Sequence, residues 1–219
     1  MEAPATEVTA QKVAVKVWRP ILDKLEVKMT AACLRRDAYL SRILEVELDC
    51  LDKEVAVANS EAARAFVARK FDLLPDKKLV TFVLRSDLVE RMSDVCARKR
   101  IVRDAFLNRL LLLLAASPKI FDRFLGLGAA WKSQLMKDYR GASFFEDSFY
   151  PIEESINPFW AARDWLAEDN ESIYRIYWDD TLFKDVDLAG LNCYVEDRWV
   201  PGHPDEGAYR KQLDDLDIL

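Results

Sequence analysis

The sequence predicts a mainly α-helical fold. A two-stranded antiparallel ribbon with four helices occupies residues 1–118, and an acidic, aromatic-rich α+β or irregular appendage follows over residues 119–219. Three observations predict this. The nonapeptide RDAYLSRIL at Arg36–Leu44 returns as RDAFLNRLL at Arg103–Leu111, 67 residues further on. The same offset carries Ile21–Leu25 onto Leu88–Met92 and Val13, Val15 and Val17 onto Val80, Phe82 and Leu84, with no gap. An in-register match of about 35 residues marks an internal repeat. Finally, charge divides the chain: residues 1–120 hold 22 Lys+Arg against 17 Asp+Glu, and residues 121–219 hold 10 against 21. Five of the six tryptophans also lie in the second part, so the front is mildly basic and the back acidic and aromatic.

Each copy, about 13–51 and 80–116, divides into three. It opens with VAVKVW or VTFVLR, apolar at every second position, the period of a half-buried strand. A helix follows. Pro20 suits its first position in copy one, and Ser86–Asp87 supply N-cap chemistry in copy two. Ile21, Leu25 and Cys33, and Leu88, Met92 and Cys96, predict its buried stripe. The next helix carries the nonapeptide, with Tyr39, Leu40, Ile43 and Leu44 inward, matched by Phe106, Leu107, Leu110 and Leu111. Alone, such a unit can neither bury its apolar faces nor pair its strand edges. Two copies do both, with the strands pairing antiparallel above four interlocked helices. The connector is a helix over residues 59–74, capped by Asn59–Ser60 and stopped by Pro75. Leu110–Leu114 is apolar all round and predicts burial all round, under the C-terminal region or in an oligomer interface.

In the appendage, Lys119–Tyr139 reads as a helix with breaks at Gly126 and Gly128. Asn157–Pro158 starts another, through FWAARDWLAED. Ser172–Trp178 alternates like a strand, residues 188–200 offer a second, and Asp205–Leu216 a terminal helix.

Composition excludes several classes. Cys33, Cys50, Cys96 and Cys193 form no CxxC pair, and His203 is the only histidine. This argues against zinc, a disulfide framework and most histidine-dependent chemistry, so no metal or cofactor is expected. The longest apolar run is far short of a membrane span, and MEAPATEV lacks a secretory pattern. The expectation is a cytoplasmic protein with no membrane partner. Asp164, Asp179–Asp180 and Glu196–Asp197 are the acidic groups available to Mg²⁺, but no motif fixes their geometry, and no enzyme is expected.

The order strand, helix, helix, with a second helix opening RDAYLxRxL, resembles the ribbon-helix-helix (MetJ/Arc/CopG) superfamily over about Val13–Leu51 and Val80–Ala116. Two copies in one chain resemble a fused pseudo-dimer. The resemblance implies a transcriptional regulator, a repressor or antitoxin, whose ribbon enters the DNA major groove. The reading positions are then Ala14, Lys16 and Trp18, and Thr81, Val83 and Arg85. Of these, Lys16, Trp18, Thr81 and Arg85 are the expected base contacts. Arg35, Arg36, Lys99, Arg100 and Arg103, at the starts of the second helices, are the expected phosphate contacts. The paired positions differ between the strands. This implies either an asymmetric DNA site or a module that has lost DNA reading and serves as a protein-interaction scaffold. Trp18 packing inward, and Arg36 and Arg103 pairing with Asp37 and Asp104, are the competing readings. The resemblance also implies homo-oligomers on double-stranded DNA. It implies a protein partner, such as a basic toxin, for the acidic C-terminal region, where aromatics interleaved with acids suit an interface.

Overall fold

In a computed structural model of the chain, residues 9–117, 157–168, 170–179 and 186–202 are described, with residues 120, 145 and 148. The expected helices over Lys119–Tyr139, residue 120 apart, and Asp205–Leu216 lie outside the described residues. The two alternating segments form strands β1 (Ala10–Trp18) and β2 (Lys77–Arg85), with Val13, Val15 and Val17 of the first and Val80, Phe82 and Leu84 of the second facing inward. They pair antiparallel, with Lys12 opposite Val83, Ala14 opposite Thr81 and Lys16 opposite Leu79. Ala14 and Thr81 are also counterparts at the 67-residue offset. The approximate twofold axis of the repeat therefore passes between them.

Helices α1 (Arg19–Ala31) and α2 (Arg36–Glu54) follow β1, and α4 (Ser86–Arg98) and α5 (Arg103–Ala115) follow β2. The described residues are thus mainly helical with one two-stranded antiparallel sheet. The connector is α3 (Glu61–Leu73), capped where Ser60 Oγ accepts the Ala63 amide at 3.0 Å. Pro20 stands in the first turn of α1. Ser86 does not cap α4. It is the first helical residue, and its hydroxyl bonds Thr9 O at 2.8 Å, tying down the start of β1.

The twofold holds in detail. The Ser86 amide bonds Thr9 O and the Arg19 amide bonds Asp76 O, both at 2.9 Å. The first helix of each copy ends on a left-handed residue, Cys33 (φ 55°) or Arg100 (φ 52°). The next amide then returns to the helix, Leu34 to Met29 O at 2.9 Å and Ile101 to Cys96 O at 2.8 Å. This corrects one expectation: Cys33 is exposed, and Met29, the counterpart of Cys96, fills the stripe.

The nonapeptide side chains expected inward are all buried, and α5 is buried from Ala105 to Ala115. The C-terminal half covers it. Arg109, fully buried on α5, donates to Ile173 O (Nε, 2.9 Å) and Ile176 O (Nη2, 2.8 Å) and lies over the Trp178 ring at 3.7 Å. Burial pushes its pKa down to about 10. Its counterpart Arg42 is exposed. On α2 the buried Glu47 receives both Nη atoms of Arg163, at 3.0 and 2.7 Å. Arg163 belongs to α6 (Trp160–Glu168), and the Tyr174 hydroxyl also donates to Glu47. Gly190 meets α3 so closely that a Cβ there would lie 2.4 Å from the Phe71 amide nitrogen.

No strand forms at Ser172–Trp178 or residues 188–200, contrary to expectation. Both are turns and irregular chain with two short 3₁₀ segments. Their backbone groups find side chains instead of a ladder. Arg109 takes the carbonyls of Ile173 and Ile176, Glu54 the Tyr174 amide, and Asn192 the Trp178 amide and carbonyl.

Arg163→Met strands the buried Glu47 carboxylate. It should cost about 3–5 kcal/mol in a urea unfolding titration, most of it recovered in the Glu47→Leu/Arg163→Met double variant. Equal loss in the single and double variants would show that the ion pair does not hold the C-terminal half in place.

Candidate nucleic-acid interface

A two-stranded ribbon has two outer edges with unpaired amides and carbonyls. Here each is closed by the helix of the other repeat. On β1, Asp104 Oδ2 accepts the Lys16 amide at 3.0 Å and Arg103 donates to Ala14 O at 2.9 Å. On β2, Asp37 Oδ2 accepts the Val83 amide at 2.9 Å and Arg36 donates to Thr81 O at 2.9 Å. Each arginine also pairs with its neighbouring aspartate, Arg36 with Asp37 at 2.7 Å and Arg103 with Asp104 at 2.9 Å. Asn108 closes β1 further. Its amide oxygen accepts the Trp18 amide and its nitrogen donates to Lys16 O, each at 2.8 Å. The counterpart Ser41 instead bonds back to Asp37 O within its own helix.

With inner face packed and edges closed, the ribbon keeps one open surface. It presents Ala10, Lys12, Ala14 and Lys16 from β1 and Leu79, Thr81 and Val83 from β2, all exposed, with Arg85 half-buried at its end. The described residues of the C-terminal half attach elsewhere, to α2, α3 and α5.

Lys16 reaches this surface, with Asp72 at 3.4 Å from its ammonium. Such an exposed pair is worth little and yields readily to another anion. Thr81 is exposed at the centre. Arg85 is present, but its fork holds Asp87 and Glu45, and their hydrogen bonds raise its pKa further above the ordinary arginine value. Trp18 corrects the expectation. It ends β1 as the N-cap of α1, where the chain turns, and its indole joins the core at 7% exposure.

Among the expected phosphate contacts, Arg35 is exposed at the N-cap of α2. Arg36 and Arg103 spend donors on the ribbon edges. Lys99 and Arg100 are drawn away: Lys99 pairs with Asp52 at 3.2 Å, and Arg100 with Glu61 at 2.9 Å and with Asn59 O. Grooves flank the ribbon on both sides. One of about 670 Å³ is walled by α3 and includes Arg64, Arg103 and Lys16; one of about 600 Å³ includes Arg35 and Arg36.

Sequence reasoning missed Lys12 and Leu79 as surface residues. The alternating pattern carried one step outward from Val13 and Val80 would have found both. Of the aromatic residues in the acidic C-terminal region, Phe159, Tyr174 and Trp178 are wholly buried within the chain. Among the described residues no group of three His, Cys, Asp or Glu side chains stands close enough to hold a metal, and no helix is long and apolar enough to cross a membrane. No family model matches the chain, and neither does any curated protein or solved structure.

Asn108→Ala removes both partners of a buried stretch of the β1 edge. It should cost about 1–3 kcal/mol by thermal or urea unfolding. Hydrogen exchange should quicken at the Trp18 amide and not at the Val83 amide, which Asp37 holds. Unchanged Trp18 exchange would refute the edge-closing role.

Proposed function

We propose that this chain is a DNA-binding transcriptional regulator built as a fused ribbon-helix-helix pair, with the ribbon's outward face in the major groove. The observation that carries the reading is that face: Lys12, Lys16, Thr81 and Arg85 share one surface, exposed or half-buried, while the described residues of the C-terminal half pack on the helices. The major groove admits a two-stranded ribbon, and an amine or guanidinium suits the acceptor edge of guanine. Arg35 of one groove and Arg64 of the other stand beside the ribbon where phosphates would run. On this reading the protein is cytoplasmic and several copies sit side by side on DNA. The surface of the C-terminal half remains for a protein partner, in repressor or antitoxin fashion.

A second reading has its own observation. Arg36, Arg103 and Arg85 already hold internal carboxylates or carbonyls, so the unit is stable without DNA and fits an interaction scaffold. The salt dependence of binding separates the two. Fluorescence anisotropy of the full chain with mixed-sequence duplex should show binding that falls steeply with salt. The slope should shrink by about 0.9 for each phosphate contact removed. Lys12→Ala/Lys16→Ala should weaken binding about tenfold or more at low salt. No binding at low salt by the full chain would reject DNA reading and leave the scaffold.

A further inference from the structure

We infer that the two strands of the ribbon read different chemistry: β1 offers amines to guanine, and β2 offers an aliphatic row to the C5 methyl groups of thymine. This rests on the DNA reading above and names what the face recognises. Leu79 and Val83 are exposed, at 69% and 41%, on the outward side of β2. They stand two residues either side of Thr81, whose side chain is also exposed and carries a methyl. Across the ribbon, Leu79 faces Lys16 and Val83 faces Lys12.

The repeat makes this arrangement informative. At the 67-residue offset the counterpart of Leu79 is Lys12, and that of Val83 is Lys16. At both positions copy one carries an amine and copy two an aliphatic group. A twofold-symmetric reader would repeat both lysines on β2. This face instead has a lysine row along β1 and an aliphatic row along β2, with neighbouring strands about 4.8 Å apart.

Each row has a natural counterpart in the major groove. Guanine presents two acceptors, O6 and N7, to a donor, and thymine is the standard base carrying a methyl, which an apolar side chain buries favourably. A lone exposed aliphatic residue on a protein surface calls for no explanation. Two on one strand face, flanking a threonine and bordered by lysines, make a stripe that water solvates poorly and a methyl-lined groove wall covers. Because the rows do not interchange under the twofold, the preferred site is non-palindromic. Its thymine-rich side is the one β2 faces.

The test compares an alternating A·T duplex with its deoxyuridine counterpart, which lacks only the methyls. The full chain and a salt series are used in both cases. The thymine duplex should bind about tenfold more tightly, as expected for two buried methyl groups. Leu79→Ser/Val83→Ser should abolish that ratio while leaving deoxyuridine binding in place. Lys12→Ala/Lys16→Ala should weaken both complexes and keep the ratio. Leu79→Lys installs the residue its counterpart carries and suits an exposed strand position. It should tighten both complexes and cut the ratio to about a third. Equal, salt-dependent binding of both duplexes by the wild type would overturn the inference and leave DNA reading intact. Binding of neither at low salt would overturn both.

Discussion

The constraint on which the structure depends is the closing of the ribbon's edges. Two strands cannot bury their outer amides and carbonyls in one another, and an open edge invites other strands. Each repeat meets this with an Arg–Asp pair at the first turn of its second helix, aimed at the strand of the other repeat. The pair supplies one donor and one acceptor, as an edge residue pair requires. It couples the copies reciprocally, because neither closes its own edge. That reciprocity explains why RDA opens both nonapeptides.

On this symmetric frame the differences between copies make room for the C-terminal half. Tyr39 and Phe106 are counterparts, and each meets an aromatic ring from that half, Phe145 at 5.3 Å and Tyr174 at 5.7 Å. Elsewhere the copies part. Glu47 stands where copy two has Leu114, and an arginine common to both copies is buried as Arg109 but exposed as Arg42. Both charged groups are fully buried, and each is satisfied differently. Glu47 meets a cation in Arg163, whereas Arg109 meets only carbonyls, an amide oxygen and an aromatic face. A buried guanidinium with several directed donors can organise irregular chain. Residues 173–178 follow Arg109 rather than a strand partner.

The ribbon and its helices were legible in the sequence because their signals are local and repeated. Alternation at Val13–Val17 and Val80–Leu84 marks strands, and the constant offset implies an antiparallel pair about a twofold. The site was legible only in part. Lys16 and Thr81 follow from alternation alone, whereas Trp18 obeys the alternation and is still buried, because the turn into α1 overrides it. The role of Asp37 and Asp104 on the backbone is a long-range contact that no local pattern encodes. The C-terminal half was least legible. SIYRIYW has the period of a strand, but its backbone partner is an arginine 64 residues away within a run of leucines, where sequence suggests only core.

The internal use of so many arginines bears on how such a face would work. A positively charged surface gains affinity by releasing counterions, and here much of the local cationic charge is already balanced by Asp72, Asp87 and Glu45. What is left open is short and chemically uneven: two lysines, a threonine and two aliphatic side chains. Phosphate contacts beside the ribbon would supply the salt-dependent share of binding, and a surface of that kind would discriminate by matching particular groups at particular positions. Fusion of the two copies permits this. In a homodimer every ribbon residue appears twice, so a change that suits one half of a site is imposed on the other. In a single chain Lys12 and Leu79 diverge freely. The helical frame and edge contacts can stay symmetric while the exposed face does not.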